Sequence, residues 1–291
     1  MQIDLKNVKY IYDTAAMQTA ALEDITVSIG GDSFIAVIGS TGSGKSTFVQ
    51  LLDGLLRPTQ GKILYDGSEI FGQKNEKKLL RDLRCRVGLT FQYPEHQLFE
   101  ADVYSDVAFG PKNQGTDKEN LDLKVRKALD SVGLGPEYYK KSPFELSGGE
   151  MRRVAIAGML AMEPEILILD EPTAGLDPLG KQEILNKLKS IQKERHITVV
   201  LVSHTMEEVA RYADRVIAID RGRLLFDLPV REAFSCKEQL IDAGLDVPGV
   251  RAFMDELADA GLPVERNCIT VDEAVDEIMR YIRMDKGKAD V

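Results

Sequence analysis

The sequence is poor in the features that mark disulfide-bonded, secreted and membrane-spanning proteins. Its three cysteines, Cys85, Cys236 and Cys268, are odd in number and far apart, so they predict neither a disulfide framework nor a metal-binding cluster. We interpret them as reduced thiols of a cytosolic protein. The first residues lack the charged and then apolar pattern of a signal peptide. No apolar run reaches the roughly 18 residues of a transmembrane helix, so work at a membrane would require another chain to hold this one there.

The sequence also lacks an excess of basic residues. Its 291 residues include 37 Lys and Arg against 47 Asp and Glu, which gives a formal net charge of −10. This balance argues against a nucleic-acid-binding protein with a broad basic face. Hydrophobic residues make up 44% and charged residues 29%. These values are typical of a soluble globular protein with one large domain, or one large and one small.

Apolar patterns outline the secondary structure. Alternation predicts strands at residues 3–8 and 22–29, with a polar loop through Thr19 between them. Continuous apolar runs at residues 166–169 and 198–202 predict strands that are covered on both faces.

A glycine-rich segment lies between two apolar runs, residues 34–38 and 48–52, which predict a strand and a helix. This context is that of a phosphate-binding P-loop, although a glycine-rich turn that matches the pattern by chance is the alternative. Glycines let the backbone curl so that successive N–H groups face an anion, and the helix N-terminus adds partial positive charge. Lys45 would neutralise the β- and γ-phosphates, and Ser46 would bind Mg²⁺. The predicted nucleotide-binding residues of the loop are Gly39, Ser40, Thr41, Gly42, Ser43, Gly44, Lys45, Ser46 and Thr47.

Two acidic residues follow the apolar run of residues 166–169. In an open α/β sheet the ligand lies at the carboxyl ends of the strands. Asp170 is therefore placed to hold Mg²⁺, directly or through water, and Glu171 to polarise the water that attacks the γ-phosphate. The alternative is that these carboxylates only cap a helix after the strand.

A Leu-Ser-Gly-Gly-Glu segment, residues 146–150, precedes a predicted helix. Ser147 and Glu150 have the spacing of a capping box, and a well-capped helix is the simpler interpretation. Gly148 and Gly149 indicate more, because glycines let a backbone approach another group closely. A second helix N-terminus of this kind could bind the γ-phosphate from the opposite side.

Two further polar side chains follow predicted strands. His204 comes after residues 198–202, and Gln92 after residues 87–91. A single histidine is more often structural than catalytic, but its position at the same sheet edge as Asp170 favours a catalytic role. Gln92 could reach Mg²⁺ or the attacking water.

In this order the motifs resemble those of ATP-binding cassette (ABC) ATPases. The matched elements are the Walker A motif (residues 39–47), the Q-loop (Gln92), the signature (residues 146–150), Walker B with its catalytic glutamate (Asp170, Glu171), the D-loop (residues 174–177) and the switch histidine (His204). The resemblance implies that Tyr12, rather than Tyr10, stacks on the adenine of ATP. It also adds Asp177 of the D-loop to the nucleotide-binding residues.

The resemblance implies an α/β fold with a P-loop core and mixed sheet, an antiparallel β subdomain and a helical subdomain at about residues 95–162. It would divide the chain into an ABC ATPase domain, residues 1–234, and a small α-rich C-terminal dimerisation extension, residues 235–291. It also implies a head-to-tail ATPase dimer, in which ATP and Mg²⁺ held by one P-loop are covered by the partner's signature helix. ATP binding would close this dimer and hydrolysis would release it.

A narrower resemblance is to the ATPases of energy-coupling factor (ECF) transporters. Residues 91–99 and 106–111 are similar to theirs, as is the Ala-Gly-Leu-Asp-Val-Pro stretch, residues 243–248. Residues 151–153 and 171–178 resemble those of the A′-type subunit. The implied activity is ATP hydrolysis that drives uptake of a vitamin or a transition-metal ion.

The implied partners are a related A-type ATPase chain, an integral-membrane T subunit and a substrate-binding S subunit, with no nucleic acid. Coupling helices of the T subunit would dock near residues 92–99, where Leu98 and Phe99 could either contact them or be plain core residues. The chain would then be a peripheral protein at the cytoplasmic face of the cell membrane. The transported substrate stays open, and so does the choice between a hetero- and a homodimer, although the motif style favours a heterodimer.

Glu150 departs from the family pattern, which usually has glutamine at this position. Glutamine can donate and accept hydrogen bonds, whereas ionised glutamate only accepts them. A carboxylate near a triphosphate is unfavourable unless it turns away or pairs, and Arg152 or Arg153 could be its partner. We therefore expect ATP to be bound and hydrolysis to be altered at the site that this helix completes.

Two other classes of function compete with the transporter ATPase. A structural or regulatory ABC protein of the chromosome-maintenance kind needs a long coiled coil between Walker A and the signature, and one of the translation-factor kind usually has two cassettes. The sequence contains neither feature. A module that holds ATP without hydrolysing it is disfavoured by the presence of Glu171 and His204.

Overall fold

Two sheets and a set of helices organise the part of the chain that the structure describes, residues 1–14, 17–92 and 97–289 of a computed structural model. The strands are β1 (Ile3–Thr14), β2 (Met17–Ile29), β3 (Phe34–Ile38), β4 (Gln60–Tyr65), β5 (Ser68–Glu69), β6 (Val87–Thr90), β7 (Ile166–Asp170), β8 (Thr198–Val202), β9 (Arg215–Asp220) and β10 (Arg223–Pro229). The helices are α1 (Lys45–Leu52), α2 (Glu76–Arg86), α3 (Val103–Asn113), α4 (Lys118–Ser131), α5 (Gly148–Ala161), α6 (Pro178–Arg195), α7 (Met206–Tyr212), α8 (Val230–Ser235), α9 (Lys237–Asp242), α10 (Gly249–Asp259) and α11 (Val271–Ala289).

The larger sheet contains the strand that leads into the P-loop. Among the described residues its order is β10-β9-β3-β8-β7-β6. The pairs β3–β8, β3–β9, β7–β8 and β6–β7 are parallel, and β10 is antiparallel to β9. Every residue of β3, β7 and β8 is buried, because these strands are covered on both faces. The predicted mixed sheet is confirmed.

The smaller sheet is antiparallel, with the order β2-β1-β4-β5 in the described ranges. The strands β1 and β2 form a long hairpin, in which Tyr12 pairs with Thr19 and Asp13 with Gln18. The polar loop predicted through Thr19 was therefore wrong, because the strand pairing satisfies these polar residues' backbone groups. Register shifts interrupt β1 between Leu5 and Ile11.

Two hydrophobic clusters lie on opposite faces of the larger sheet. Alternate residues of one strand enter different clusters: Leu167 and Leu169 pack with the helices α3, α4 and α5, whereas Ile166 and Ile168 pack with α1 and the smaller sheet. This follows from the period of two along a strand. The larger sheet is therefore a middle layer, with the helices α3, α4 and α5 packed on one face and α1 with the smaller sheet on the other.

The C-terminal segment contributes to two clusters. Leu240, Ala243 and Leu245 pack in the same cluster as α3, α4 and α5. A separate small cluster forms around Met254 and Cys268, between α10 and α11. No helix within the described residues is both long enough and apolar enough to cross a bilayer.

Candidate active site

The carboxyl ends of β3, β8, β7 and β6 meet at one edge of the larger sheet. Val37 of β3 and Asp170 of β7 both lie opposite Val202 of β8, and Thr90 of β6 lies opposite Leu169. The segments that follow these strands therefore begin side by side. They are the glycine-rich loop and the segments that contain His204, Glu171 and Gln92 within their first two residues.

Two glycines of the loop are required by their surroundings. A Cβ on Gly39 would lie 2.3 Å from the carbonyl oxygen of Ile219, and a Cβ on Gly44 would lie 2.5 Å from that of Ala21. Gly44 also has a φ of 107°, in the left-handed region that favours glycine. It precedes α1 without any side-chain cap. The first-turn amides of α1 are therefore available to an external anion.

The side chain of Lys45 folds back onto the start of the glycine-rich loop. Its Nζ donates to the carbonyl oxygens of Gly39 and Ser40, at 2.8 and 3.0 Å. Burial lowers the pKa of the Lys45 ammonium, and the carboxylates of Glu171 and Asp170 act against this lowering. The loop thus holds a basic group beside two acidic ones.

Oxygen-bearing side chains gather next to Lys45. Asp170 is buried, and burial raises the pKa of its carboxyl, while a hydrogen bond from Ser46 opposes the rise. The hydroxyl of Ser46, the carboxylate of Asp170 and the amide oxygen of Gln92 are ligands of the type that Mg²⁺ prefers. The described residues contain no cluster of three His, Cys, Asp or Glu side chains that could hold a metal. The oxygen donors of Ser46, Asp170 and Gln92 therefore fit Mg²⁺ rather than a transition metal, which nitrogen and sulfur ligands suit better.

The three predicted catalytic side chains are brought together at Glu171. Its Oε1 lies 3.3 Å from His204 Nδ1, and its Oε2 accepts a hydrogen bond of 3.1 Å from Gln92 Nε2. The backbone of Glu171 has a φ of 50°, which is uncommon for a residue with a Cβ. Its amide donates to the carbonyl oxygen of Val202 at 3.0 Å, so this conformation is tied to β8.

A cavity of about 540 Å³ opens at this edge. It is lined by Gly39, Ser40, Thr41, Gly42, Lys45, Ser46, Gln92, Asp170, Glu171 and His204, and further by Met206, Gly244, Leu245 and Asp246. Of these, Gly244, Leu245 and Asp246 are not among the residues that the sequence predicted for the site. They belong to the Ala-Gly-Leu-Asp-Val-Pro stretch, residues 243–248, which lies within the predicted C-terminal dimerisation extension and was therefore not expected at the site.

The remaining residues predicted for the P-loop and the adenine lie beside the cavity. The hydroxyl of Tyr12 is 3.2 Å from the Oγ1 of Thr47, and its ring is partly exposed. Tyr10 packs edge-on against it and joins the hydrophobic cluster below. Of the two tyrosines, Tyr12 therefore presents the more accessible ring next to α1. In the glycine-rich loop itself, the buried hydroxyl of Ser43 has no hydrogen-bond partner among the described residues.

The signature and D-loop residues do not line the cavity. Ser147 caps α5 and forms the predicted capping box with Glu150. Gly148 is exposed, and a Cβ there would meet no atom of the described residues within 4 Å apart from the backbone of its own helix. Asp177 is exposed and caps α6 by accepting a hydrogen bond of 3.2 Å from the amide of Gly180. The structure thus separates these residues from those around Glu171.

Comparison with known proteins extends these observations. The sequence profile of the family described as ABC transporter matches residues 22–174. The energy-coupling factor transporter ATP-binding protein EcfA2 of Caldanaerobacter subterraneus subsp. tengcongensis is 49% identical over 288 residues, 99% of this chain and 100% of that protein. EcfA2 of Clostridium perfringens is 46% identical over 285 residues, 97% of this chain and 99% of that protein.

Solved structures give the same result. The cbiO1 protein of Clostridium perfringens, part of the ABC transporter complex cbiONQ, has a TM-score of 0.73 at 37% identity and covers 87% of this chain and 98% of its own. The ADP- and Pi-bound post-hydrolysis dimer of the cassette MJ0796 has a TM-score of 0.70 at 27% identity, with 78% and 98% covered.

These similarities confirm the predicted fold class and the predicted enzyme class, an ATPase that couples hydrolysis to transport. The chain belongs to the ABC transporter family and, within it, to the ATP-binding subunits of energy-coupling factor transporters.

Proposed function

We propose that this chain is the A′-type subunit of such a transporter, and that its ATP site is completed by a second, related ATPase chain of the A type. One observation carries the proposal. The P-loop, Asp170, Glu171 and His204 share one cavity, whereas Ser147 and Asp177 do not line it. A signature helix from a partner would supply the missing side of the site, and Ser147, Gly148 and Gly149 would serve the partner's ATP.

Exposed apolar side chains support a partner surface at these motifs. Phe144, just before the signature, is 72% exposed, and Leu179, just after the D-loop, is 71% exposed. Burying two such side chains in an interface would be favourable, by roughly 25 cal/mol for each Å² of apolar area. Among the described residues, no atom outside the neighbouring backbone of α5 lies within 4 Å of a Cβ placed on Gly148, which leaves room for a phosphate group.

Residues of the cavity would divide the chemistry between them. The loop amides and Lys45 would bind the phosphates, and the exposed ring of Tyr12 would stack on the adenine. Glu171 would polarise the attacking water as a general base, since His204 and Gln92 hold both of its carboxylate oxygens. This arrangement orients the carboxylate before the substrate arrives.

Ser46, Asp170 and Gln92 would hold Mg²⁺. When bound, the ion would neutralise charge on the β- and γ-phosphate oxygens. Lys45 acts on the same oxygens from the loop side, and the buried Asp170 gives a fixed ligand because its strand is paired on both sides.

A groove of about 560 Å³ bounded by α2, α3 and α5 is the proposed contact for the T subunit. Phe99, which is 59% exposed, and Phe109 pack edge to face in it, and the basic residues Lys77 and Arg81 line it as well. Residues 93–96, which belong to the predicted contact, lie outside the described residues. The buried side chain of Leu98 also lines this groove.

The rest of the proposal concerns the assembly. The chain would act as a peripheral protein at the cytoplasmic face of the membrane, with an S subunit that selects a vitamin or a transition-metal ion. The ATPase domain would span residues 1–234. Residues 235–291 would take part in dimerisation, which is supported by exposed apolar side chains at Val271 and Val275 on one face of α11.

Co-purification from membranes tests this assembly. We expect an A-type ATPase, a T subunit and an S subunit to be recovered with the chain. Recovery as a soluble homodimer bound to nucleic acid would overturn the proposal.

Substitution of Glu171 tests the assigned chemistry. Glu171→Gln keeps the shape of the side chain and removes its basicity, so the complex should bind ATP and remain in a closed, ATP-bound dimer with little hydrolysis. Glu183→Gln, at an exposed position on α6, is the matched control and should hydrolyse ATP normally. Full activity of Glu171→Gln would remove Glu171 from its role.

A further inference from the structure

A buried carboxylate lies directly behind the pair formed by Glu171 and His204. Glu208, in the first turn of α7, is 7% exposed. The hydroxyl of Thr173 lies 3.1 and 3.0 Å from its two oxygens, and the hydroxyl of Ser203 donates to it at 3.0 Å. Lys181 Nζ lies 3.6 Å from Oε1. Glu208 is thus a carboxyl group in the interior, contacted from three other segments.

The two hydroxyl donors belong to the segments that carry the proposed catalytic pair. Thr173 follows Glu171 by two residues, and Ser203 precedes His204 by one. Both are buried, at 4% and 3% exposure. One carboxylate therefore bridges the two chain segments immediately beside the 3.3 Å contact between Glu171 and His204.

Each of these segments makes a sharp turn that needs support. Glu171 adopts a φ of 50°, and such conformations persist only where their surroundings enforce them. The amide of Thr205 donates to the hydroxyl of Ser203 at 3.1 Å, which turns the chain around His204. Through Thr173 and Ser203, Glu208 restrains both turns at once.

A simpler role for Glu208 would be to stabilise the N-terminus of α7 by its negative charge. Glu207 has the same charge in the same helical turn, but it is exposed and contacts the amide of Gly249 at 3.2 Å instead. Burying a carboxylate is costly unless hydrogen bonds and a cation offset the loss of water. The charge at the helix end is already supplied by Glu207, so the buried position of Glu208 needs another reason.

We propose that Glu208 is a positioning residue for ATP hydrolysis: it sets the distance and orientation between Glu171 and His204 by holding the segments beside them. This inference rests on the proposed roles of Glu171 and His204. Glu208 itself does not line the cavity, so it acts through its neighbours and not on ATP.

Steady-state ATPase kinetics of the assembled transporter complex test the proposal. Glu208→Gln retains the shape and one acceptor oxygen, while Thr173→Val and Ser203→Ala each remove one donor. Since misplacing a catalytic group by about 1 Å can lower the rate about 100-fold, we expect kcat to fall at least about tenfold in Glu208→Gln, with KM for ATP changed less than about twofold. Glu207→Gln, the matched control, should keep the kcat of the unaltered complex.

A double variant separates positioning from general stabilisation. Because Glu208 acts through Glu171, adding Glu208→Gln to Glu171→Gln should cause no further loss of the residual rate. A multiplicative loss, a rise in KM with unchanged kcat, or an equal effect of Glu207→Gln would overturn the proposal. Nucleotide binding by each isolated variant shows that it is folded.

The outcome also distinguishes this proposal from the one on which it rests. If Glu171→Gln abolishes hydrolysis and Glu208→Gln leaves kcat unchanged, the inference about Glu208 alone is wrong. If Glu171→Gln keeps full activity, the role of Glu171 and the positioning role of Glu208 are both wrong.

Discussion

At the scale of residues, the carboxylate of Glu150 is turned into its own helix end. Its Oε2 accepts hydrogen bonds of 2.8 Å from both the amide and the hydroxyl of Ser147, and its Oε1 accepts one of 2.9 Å from the hydroxyl of Tyr138. The hydrogen bonds from Ser147 hold the pKa of the Glu150 carboxyl below its usual range, and Tyr138 and Arg153 contribute to the lowering. The hydroxyl hydrogen of Ser147 is therefore directed inward.

Replacing this carboxylate should release the serine. In Glu150→Gln the amide NH₂ can donate to the Ser147 oxygen, so that the hydroxyl hydrogen becomes available to a phosphate, and one negative charge is removed. A hydrogen bond is worth about 1 kcal/mol, so we expect the ATPase rate of the assembled complex to rise about fivefold. Glu145→Gln is a matched control, because Glu145 forms a similar capping box with Ser142 in the short 3₁₀ helix that precedes α5. An unchanged or lower rate in Glu150→Gln would contradict this account.

Sequence patterns predicted the positions of some functional residues and missed the contacts of others. The Walker A, Walker B and switch residues each follow a strand, so their motifs and positions together were sufficient to predict that they lie at one edge of the larger sheet. Glu208 lies outside the motifs described above, and its contact with Thr173 joins positions 35 residues apart. Arg152, a suggested partner of Glu150, donates to the carbonyl oxygens of Pro172 and Ala174. Such contacts depend on how helices approach the sheet, which local patterns do not encode.

At the scale of elements, the strands β7 and β8 were predicted well because they are short, continuous apolar runs buried on both faces. The strands predicted at residues 3–8 and 22–29 lie within β1 and β2 and are confirmed, but the extension of this hairpin beyond them was not predicted. Register shifts between Leu5 and Ile11 break the alternation that marks a half-buried strand, and the exposed part beyond Tyr10 has no apolar face to signal it. A strand that extends beyond the core is held by its partner strand rather than by burial.

The helix α5 offers a test of which chain its N-terminus serves. Apart from the backbone of α5, a methyl group on Gly148 would have no atom of the described residues within 4 Å, so Gly148→Ala should leave the free energy of unfolding unchanged or raise it by up to about 1 kcal/mol. The same methyl would stand between the helix end and a partner's phosphate. We therefore expect ATPase activity of the complex to fall at least about tenfold, while the isolated chain binds a fluorescent ATP analogue normally. Loss of that binding would mean that the signature serves its own chain's ATP.

At the scale of the whole molecule, two separate surfaces carry the proposed functions. The cavity proposed to bind ATP opens at the carboxyl edge of the larger sheet, and the groove between α2, α3 and α5 lies among the helices. Gln92 at the cavity and Gln97 at the groove lie close in sequence.

The groove can be tested apart from the cavity. Phe99→Ala removes the most exposed ring of the groove, so we expect recovery of the T subunit in co-purification to fall several-fold, with ATP affinity of the isolated chain unchanged. Leu123→Ala is the matched control, because Leu123 is similarly exposed, at 64%, but lies on α4 outside the groove. Equal recovery with Phe99→Ala and Leu123→Ala would contradict the assignment of the groove.

The packing of the C-terminal segment bears on how this protein can be recombined with its relatives. Leu240, Ala243 and Leu245 lie in the same hydrophobic cluster as α3, α4 and α5, and Leu245 also lines the cavity at the carboxyl edge of the larger sheet. A chimera joined near residue 234 would pair these side chains with a foreign cluster and alter one wall of the cavity. Joined near Pro248, where the separate cluster of α10 and α11 begins, the tails of two relatives should exchange with each cavity wall inherited intact.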